Sequence, residues 1–280
     1  PMQIDTCTEE LLRDAFAAAK QRGLPFTTHA SQSVNEFLIM ADRHGKTPLQ
    51  FAHDLGLLDP ITTIAHAIFI DEHSWITWHS RDDVRLLAES GATVAHCPRP
   101  VARYGHVLES FGRYRAAGVN IGMGTDTAPH NLIEEMRYAV ILGRVAARDI
   151  RSVGVADVFE AATLGGARAL LREDIGRLAV GAKADLVLVD LQNEFMQPAR
   201  DPLRSLVFTA ADRAVRDVYV DGRQVVKDRR VLTLGHAEAL GRLAEAQARM
   251  EVDVPRNDYA GRSSLEIAPL SLPVEGANVG

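Results

Sequence analysis

The chain has 280 residues, 46% of them hydrophobic and 24% charged, which excludes a disordered or fibrous polypeptide and allows one large domain or a domain with an appendage. A net charge of −6 argues against a nucleic-acid partner, since phosphate contacts need a basic face. No apolar run reaches the ~18 residues of a membrane helix, the N-terminal residues carry no secretory signal pattern, and two cysteines, Cys7 and Cys97, are too few for a disulfide framework. A cytoplasmic protein with reduced thiols is the expectation.

Glu9 to Arg22 has apolar residues at Leu11, Leu12, Ala15, Phe16 and Ala19, a helical stripe with Thr8 as N-cap and Gly23 as its end. Leu24 to His29 is short, β-branched and aromatic, and predicts a buried strand. The cycle repeats with a strand at Thr62–His66, a helix capped by Ser80 and stopped by Gly91, and a strand at Ala92–His96. A helix over Ser110–Ala117 and a strand over Val119–Gly124 follow. Helices are then expected over Asn131–Arg148 and Val155–Leu171.

After Leu171 the texture changes. A glycine-bounded turn leads into a strand ending near Val189, and Val215–Val220, Asp221-Gly222 and Arg223–Lys227 predict a hairpin with a type I′ turn. Gly235–Met250 predicts a surface helix, and Val252–Gly280 an extended arm. The expected division is therefore 1–174 and 175–280.

Strands that alternate with helices and read as continuous apolar runs predict an α/β fold with a parallel sheet. No Gly-rich phosphate loop follows the first strand, so a barrel is preferred to a doubly wound sheet. His29, His66, His96 and Asp126 fall at or just past the C-terminal ends of four successive strands, the edge at which such folds build active sites. One such histidine is usually structural. A set of them with an aspartate points to a divalent metal, because neutral imidazole and carboxylate are its usual ligands. Solvent exposure is expected for the remaining histidines, among them His73 and His106, with His130 set apart by its nearness to Asp126.

These residues lie in motifs that resemble the amidohydrolase superfamily, in particular its aminohydrolases and chlorohydrolases of nitrogen heterocycles. Phe26-Thr27-Thr28-His29-Ala30-Ser31-Gln32 resembles the family's strand 5, Ile64-Ala65-His66-Ala67 its strand 6, His96-Cys97-Pro98 its strand 7 and Gly124-Thr125-Asp126 its strand 8. Gly176-Arg177-Leu178, Gly181 to Val187 and Val220-Asp221-Gly222-Arg223 resemble the chain's return into an accessory β-sandwich. The resemblance implies the C-terminal part of a metal-dependent (β/α)8 TIM-like barrel, strands 5–8, with part of a small β-sandwich.

It further implies that His29 and Asp126 ligate one divalent ion, zinc first and iron second. Asp126 would accept a proton from the attacking water, and His66 would orient that water or polarise the substrate group. Gln32 stands where the ring deaminases carry a glutamate; with His96, Arg99 and Arg103 it is a candidate for substrate contact. The family's strand-1 His-x-His pair has no counterpart in this chain, so an N-terminal barrel half or second chain is expected to supply it. The implied substrate is a small heterocycle, the implied reaction deamination or dechlorination, and the implied assembly a homo-oligomer. A catalytically incomplete half-barrel with a structural role is the competing expectation.

Overall fold

The computed structural model describes residues 1–272. Two compact units are distinguished, Pro1–Arg223 and the residues from Gln224 onward.

The first unit opens with helix α1 (Glu9–Gln21), whose Thr8 cap accepts from the Leu11 backbone N–H, and strand β1 (Phe26–Ala30). Two helices then intervene that the predicted elements do not include, α2 (Val34–His44) and α3 (Pro48–Asp54). Their signals are local: Ser33 caps α2, and Thr47 caps α3 in a reciprocal capping box with Gln50, followed by proline at the first helical position. Strand β2 (Thr62–His66), helix α4 (Asp83–Ser90), strand β3 (Thr93–His96), the short helices α5 (Pro98–Ala102) and α6 (Phe111–Ala116) and strand β4 (Asn120–Met123) complete the series. Ser80 is not the cap of α4: Asp82 holds that position, and the Ser80 hydroxyl donates to Asp71 instead.

β1 to β4 form one parallel sheet in chain order, with Ala30 level with His66 and His96 level with Met123. Residues before α1 lie along the outer side of β1, the Ile4 N–H donating to the His29 carbonyl and the His29 N–H to that of Met2. One sheet face is buried: Ile64, Val94 and Ile121 pack with Leu12, Met40, Leu49, Leu87 and Tyr114 from the helices. The other face carries His29 and otherwise small or polar residues: Thr27 is exposed, His29, Ala65, Ala95 and Asn120 are half-buried, and Thr63, Thr93 and Gly122 are buried.

Helix α7 (Leu132–Ala147) starts at the Asn131 cap and ends at left-handed Arg148. The helix expected over Val155–Leu171 is interrupted: α8 (Val155–Glu160) passes into a π-turn at Ala161–Gly165 before α9 (Gly166–Ala169). The turn lets Gly165 sit on β4, where an added Cβ would lie 2.0 Å from the Ile121 carbonyl oxygen. Strand β5 (Leu186–Val189) pairs antiparallel with β6 (Val215–Val220), after an intervening short helix α10 (Pro202–Ser205). Asp221 and Gly222 both take positive φ, as a type I′ turn requires, ahead of β7 (Arg223–Lys227).

In the second unit β7 pairs with β8 (Arg230–Val231), and helix α11 (His236–Asn257) follows. The helix runs past Met250 into the region read as an extended arm. Pro255 stands in its last turn, so the i→i−4 hydrogen bond that its missing N–H removes, and any kink it makes, disturb only the last residues of the helix. A further short helix, α12 (Ser264–Ile267), replaces more of that arm, whose residues 273–280 lie outside the described residues. Among the described residues no helix is long and apolar enough to cross a membrane.

Candidate active site

His29 ends β1 with both its backbone and its ring fixed. Its Nδ1 lies 2.6 Å from the Met2 carbonyl oxygen, which can only accept, so Nδ1 carries the hydrogen and Nε2 is left as a free lone-pair donor. The His66 ring is centred 5.2 Å from that of His29. At His66 the backbone turns left-handed, φ 77°, and Ala67 follows at φ 45°. Hydrogen bonds hold this turn: the Ala67 N–H donates to Ala30, the Ile68 and Phe69 N–H groups donate to Ser31, and the buried Tyr114 hydroxyl donates to the Ala67 carbonyl at 2.7 Å.

His66 is buried, and its Nδ1 has no hydrogen-bond partner among the described residues. Burial and the neighbouring His29 push its pKa down, against an upward pull from Asp126. It is therefore a neutral imidazole near pH 7. Asp126, beyond β4, is also left-handed at φ 55°, and its side chain is exposed. Gln32, Ser33, His66, Pro100, Val101, Tyr104, His106 and Asp126 line one cavity of about 190 Å³.

His96 lies deeper. It is buried, its ring 5.9 Å from Phe111, and burial pushes its pKa down to about 3, with His66 adding to the effect. Neither His96, Arg99 nor Arg103 lines the cavity. Arg99 contributes through its backbone: its N–H donates at 2.9 Å to Glu135, a buried carboxylate of α7 whose pKa burial raises. Beside it the Cys97 thiol is pushed up to about 12 by burial, with Asp126 and Glu135 adding to the rise, so it is no thiolate ligand on its own.

Glu36 was not singled out from the sequence. Its carboxylate takes the backbone N–H groups of Ser31 and Gln32, both at 2.7 Å, and so fixes the loop that carries Gln32 to the cavity. Burial raises its pKa to about 7, and Asp5 adds to the rise. Ser33-x-x-Glu36 was readable as a capping box. Ser33 does accept from the Glu36 N–H, but the Glu36 side chain reaches past the cap. His73 and His106 also depart from the expected exposure: His73 is buried and His106 lines the cavity.

In kind, two of these groups suit a divalent ion, the free imidazole Nε2 of His29 and the accessible carboxylate of Asp126. In number they do not complete a site, since no three His, Cys, Asp or Glu side chains among the described residues gather into a ligand group. The arrangement is one side of a metal-type hydrolytic centre.

Comparison with known proteins gives the same direction. The profile of the amidohydrolase family matches residues 5–225. The 5-methylthioadenosine/S-adenosylhomocysteine deaminase of Natronomonas pharaonis is 35% identical over 252 residues, 89% of this chain and 56% of the relative. The 5′-deoxyadenosine deaminase of Methanothermobacter thermautotrophicus is 32% identical over 247 residues, 87% of this chain and 55% of the relative. Among solved structures, a zinc-bound adenosine deaminase from Xanthomonas campestris matches with a TM-score of 0.81 at 28% identity, over 90% of this chain and 56% of that one. An atrazine chlorohydrolase of Arthrobacter aurescens, complexed with zinc and atraton, has a TM-score of 0.78 at 22% identity over 88% of this chain and 53% of that one, a likeness of fold. The chain spans about half the length of the curated relatives it matches.

Proposed function

The chain belongs to the amidohydrolase family, and from that premise we propose that it forms the C-terminal half of a (β/α)8-barrel hydrolase that deaminates an adenosine-type heterocycle. The observation that carries the reading is the convergence of His66, Gln32 and Asp126 on one cavity, with His29 beside His66. The sheet supports the half-barrel: its second face is made mostly of small residues, and Thr27, His29, Ala65 and Ala95 on it are exposed or half-buried, as on a lumen face lacking its opposite strands. Deamination is preferred to dechlorination because the sequence relatives named above are deaminases.

In this reading His29 and Asp126 hold a divalent ion, zinc first, together with ligands from the N-terminal barrel half or a second chain. A bound ion of this kind supplies Lewis acidity and a water that ionises near neutral pH. Asp126 accepts a proton from the attacking water at a carboxylate oxygen. His66, neutral and buried, orients that water or the leaving amine through a ring nitrogen. Gln32 holds the ring by hydrogen bonds, since an amide donates and accepts without changing its own protonation. Cys7 and Cys97 are both free, which suits a cytoplasmic enzyme.

The competing expectation, a catalytically incomplete half-barrel with a structural or partner-binding role, has no finding in its favour. Metal analysis with an ammonia-release assay on adenosine separates the two. Near one metal per chain with turnover in the complete barrel supports the enzyme; absence of both there refutes it.

A further inference from the structure

Two rings of the cavity wall, Tyr104 and His106, have no part in the chemistry above. His106 is held by aromatic neighbours. The ring of Phe69, fully buried, stands 5.2 Å away at 88° to it, and that of Trp75 stands 5.7 Å away at 86°. The loop bearing Trp75 is itself pinned. The Trp75 N–H donates to His73 Nδ1 at 3.1 Å, and Glu109 accepts from the Ser74 N–H at 2.9 Å and from the Ser74 hydroxyl. Edge-to-face contacts of this kind set a ring's plane as well as its position. Trp75 is 58% exposed and Tyr104 78%, so both present aromatic surface to solvent.

A cavity of about 190 Å³ is smaller than the ~300–1,000 Å³ of a drug-sized site. A flat heterocycle that reaches Gln32, His66 and Asp126 enters the same lining that carries His106. Resting on the deaminase reading above, we infer that His106 is a stacking surface for the substrate's heterocycle, held in plane by Phe69 and Trp75. Its role is specificity for flat aromatic rings, and it exchanges no proton with the substrate.

The test is the kinetics of adenosine deamination by the complete enzyme in wild type, His106→Ala, His106→Leu and His106→Phe, with melting temperatures alongside. Loss of the π-face in the Ala and Leu variants raises KM on the order of tenfold, with kcat within about twofold. His106→Phe restores KM to within about threefold of wild type. His106→Leu fills the space between the neighbouring rings, so the Leu and Phe variants decide if His106→Ala fails to fold. An unchanged KM in His106→Leu, or a fall in kcat at constant KM, overturns the inference. If wild type releases no ammonia, the deamination reading falls and binding of purine riboside, which lacks the leaving amine, decides the platform by itself. Tighter binding by wild type and His106→Phe than by His106→Leu upholds it; equal or absent binding in all three overturns it.

Discussion

Replacing Glu36 by glutamine tests the clamp that positions Gln32. In the folded chain the Glu36 pKa is raised from 4.5 to about 7, chiefly by burial. A raised carboxyl binds its proton more tightly when folded, so the stability it contributes is present below about pH 4.5 and is lost as the pH rises through 7. The shift corresponds to about 3 kcal/mol between the two limits. Glutamine keeps the shape but has one oxygen for two N–H donors, those of Ser31 and Gln32, and turns its own N–H toward one of them. That mismatch in a dry site costs about 1–3 kcal/mol at any pH. The variant is therefore clearly less stable than wild type near pH 5, and the difference shrinks by up to about 3 kcal/mol toward pH 8 as wild type alone loses stability. Urea unfolding of both proteins at the two pH values, followed by circular dichroism, measures it. A stability difference that stays constant with pH to within about 0.5 kcal/mol refutes the claim that Glu36 is protonated in the folded state near neutrality.

In the complete enzyme, His29→Ala or Asp126→Ala loses the metal whereas His66→Ala keeps it and loses turnover; metal analysis beside kcat checks this, and equal metal loss in His66→Ala makes that residue a ligand. Gly165→Ala places a Cβ 2.0 Å from the Ile121 carbonyl oxygen and strains the Asn120–Gly165 hydrogen bond, for a destabilisation of about 3 kcal/mol read by urea unfolding. Gln32→Glu adds an acid able to protonate a ring nitrogen, and such help is typically worth ~10²–10⁴ in rate, so kcat/KM for adenosine holds or rises; a fall beyond about tenfold means that the added charge outweighs proton transfer.

The alternation of helix and strand, and the strand ends carrying His29, His66 and His96, were legible because they depend on short-range period and on residue type. The helix over Val34–His44 carries a cap and also an apolar stripe at Val34, Phe37, Leu38 and Ala41, so it was open to a periodicity reading, whereas the seven-residue Pro48–Asp54 is marked chiefly by its capping box. Ser80 fits a cap in type, but the fold assigns its hydroxyl to Asp71, a contact across nine residues that no local pattern reports. The same limit applies to the site. His29 and Asp126 stand out by type and place, whereas Glu36, Glu135 and His106 acquire their roles from backbone and ring contacts made only when the loops meet. Arg99 and Arg103 were candidates by charge alone, and their side chains do not line the cavity.

The backbone at the C-terminal edge of the sheet explains why those loop contacts are needed. Ser31, His66, Ala67 and Asp126 all take left-handed conformations, with φ between 45° and 77°, although none is glycine. Each such residue costs about 1–3 kcal/mol unless its surroundings fix it. Here the surroundings do fix it for the first two loops. Glu36 grips Ser31 and Gln32, Ser31 in turn accepts from Ile68 and Phe69, and Tyr114 accepts its place by donating to Ala67. Strand alternation alone would leave His66 on the face shared by Ile64, away from the small-residue face that carries His29. The left-handed turn at its own position changes that direction and brings the ring beside His29 and onto the cavity. The buried carboxylate and the buried tyrosine are thus the counterpart of the strained turn: local backbone energy is spent to aim the His66 ring, and distant hydrogen bonds keep it aimed.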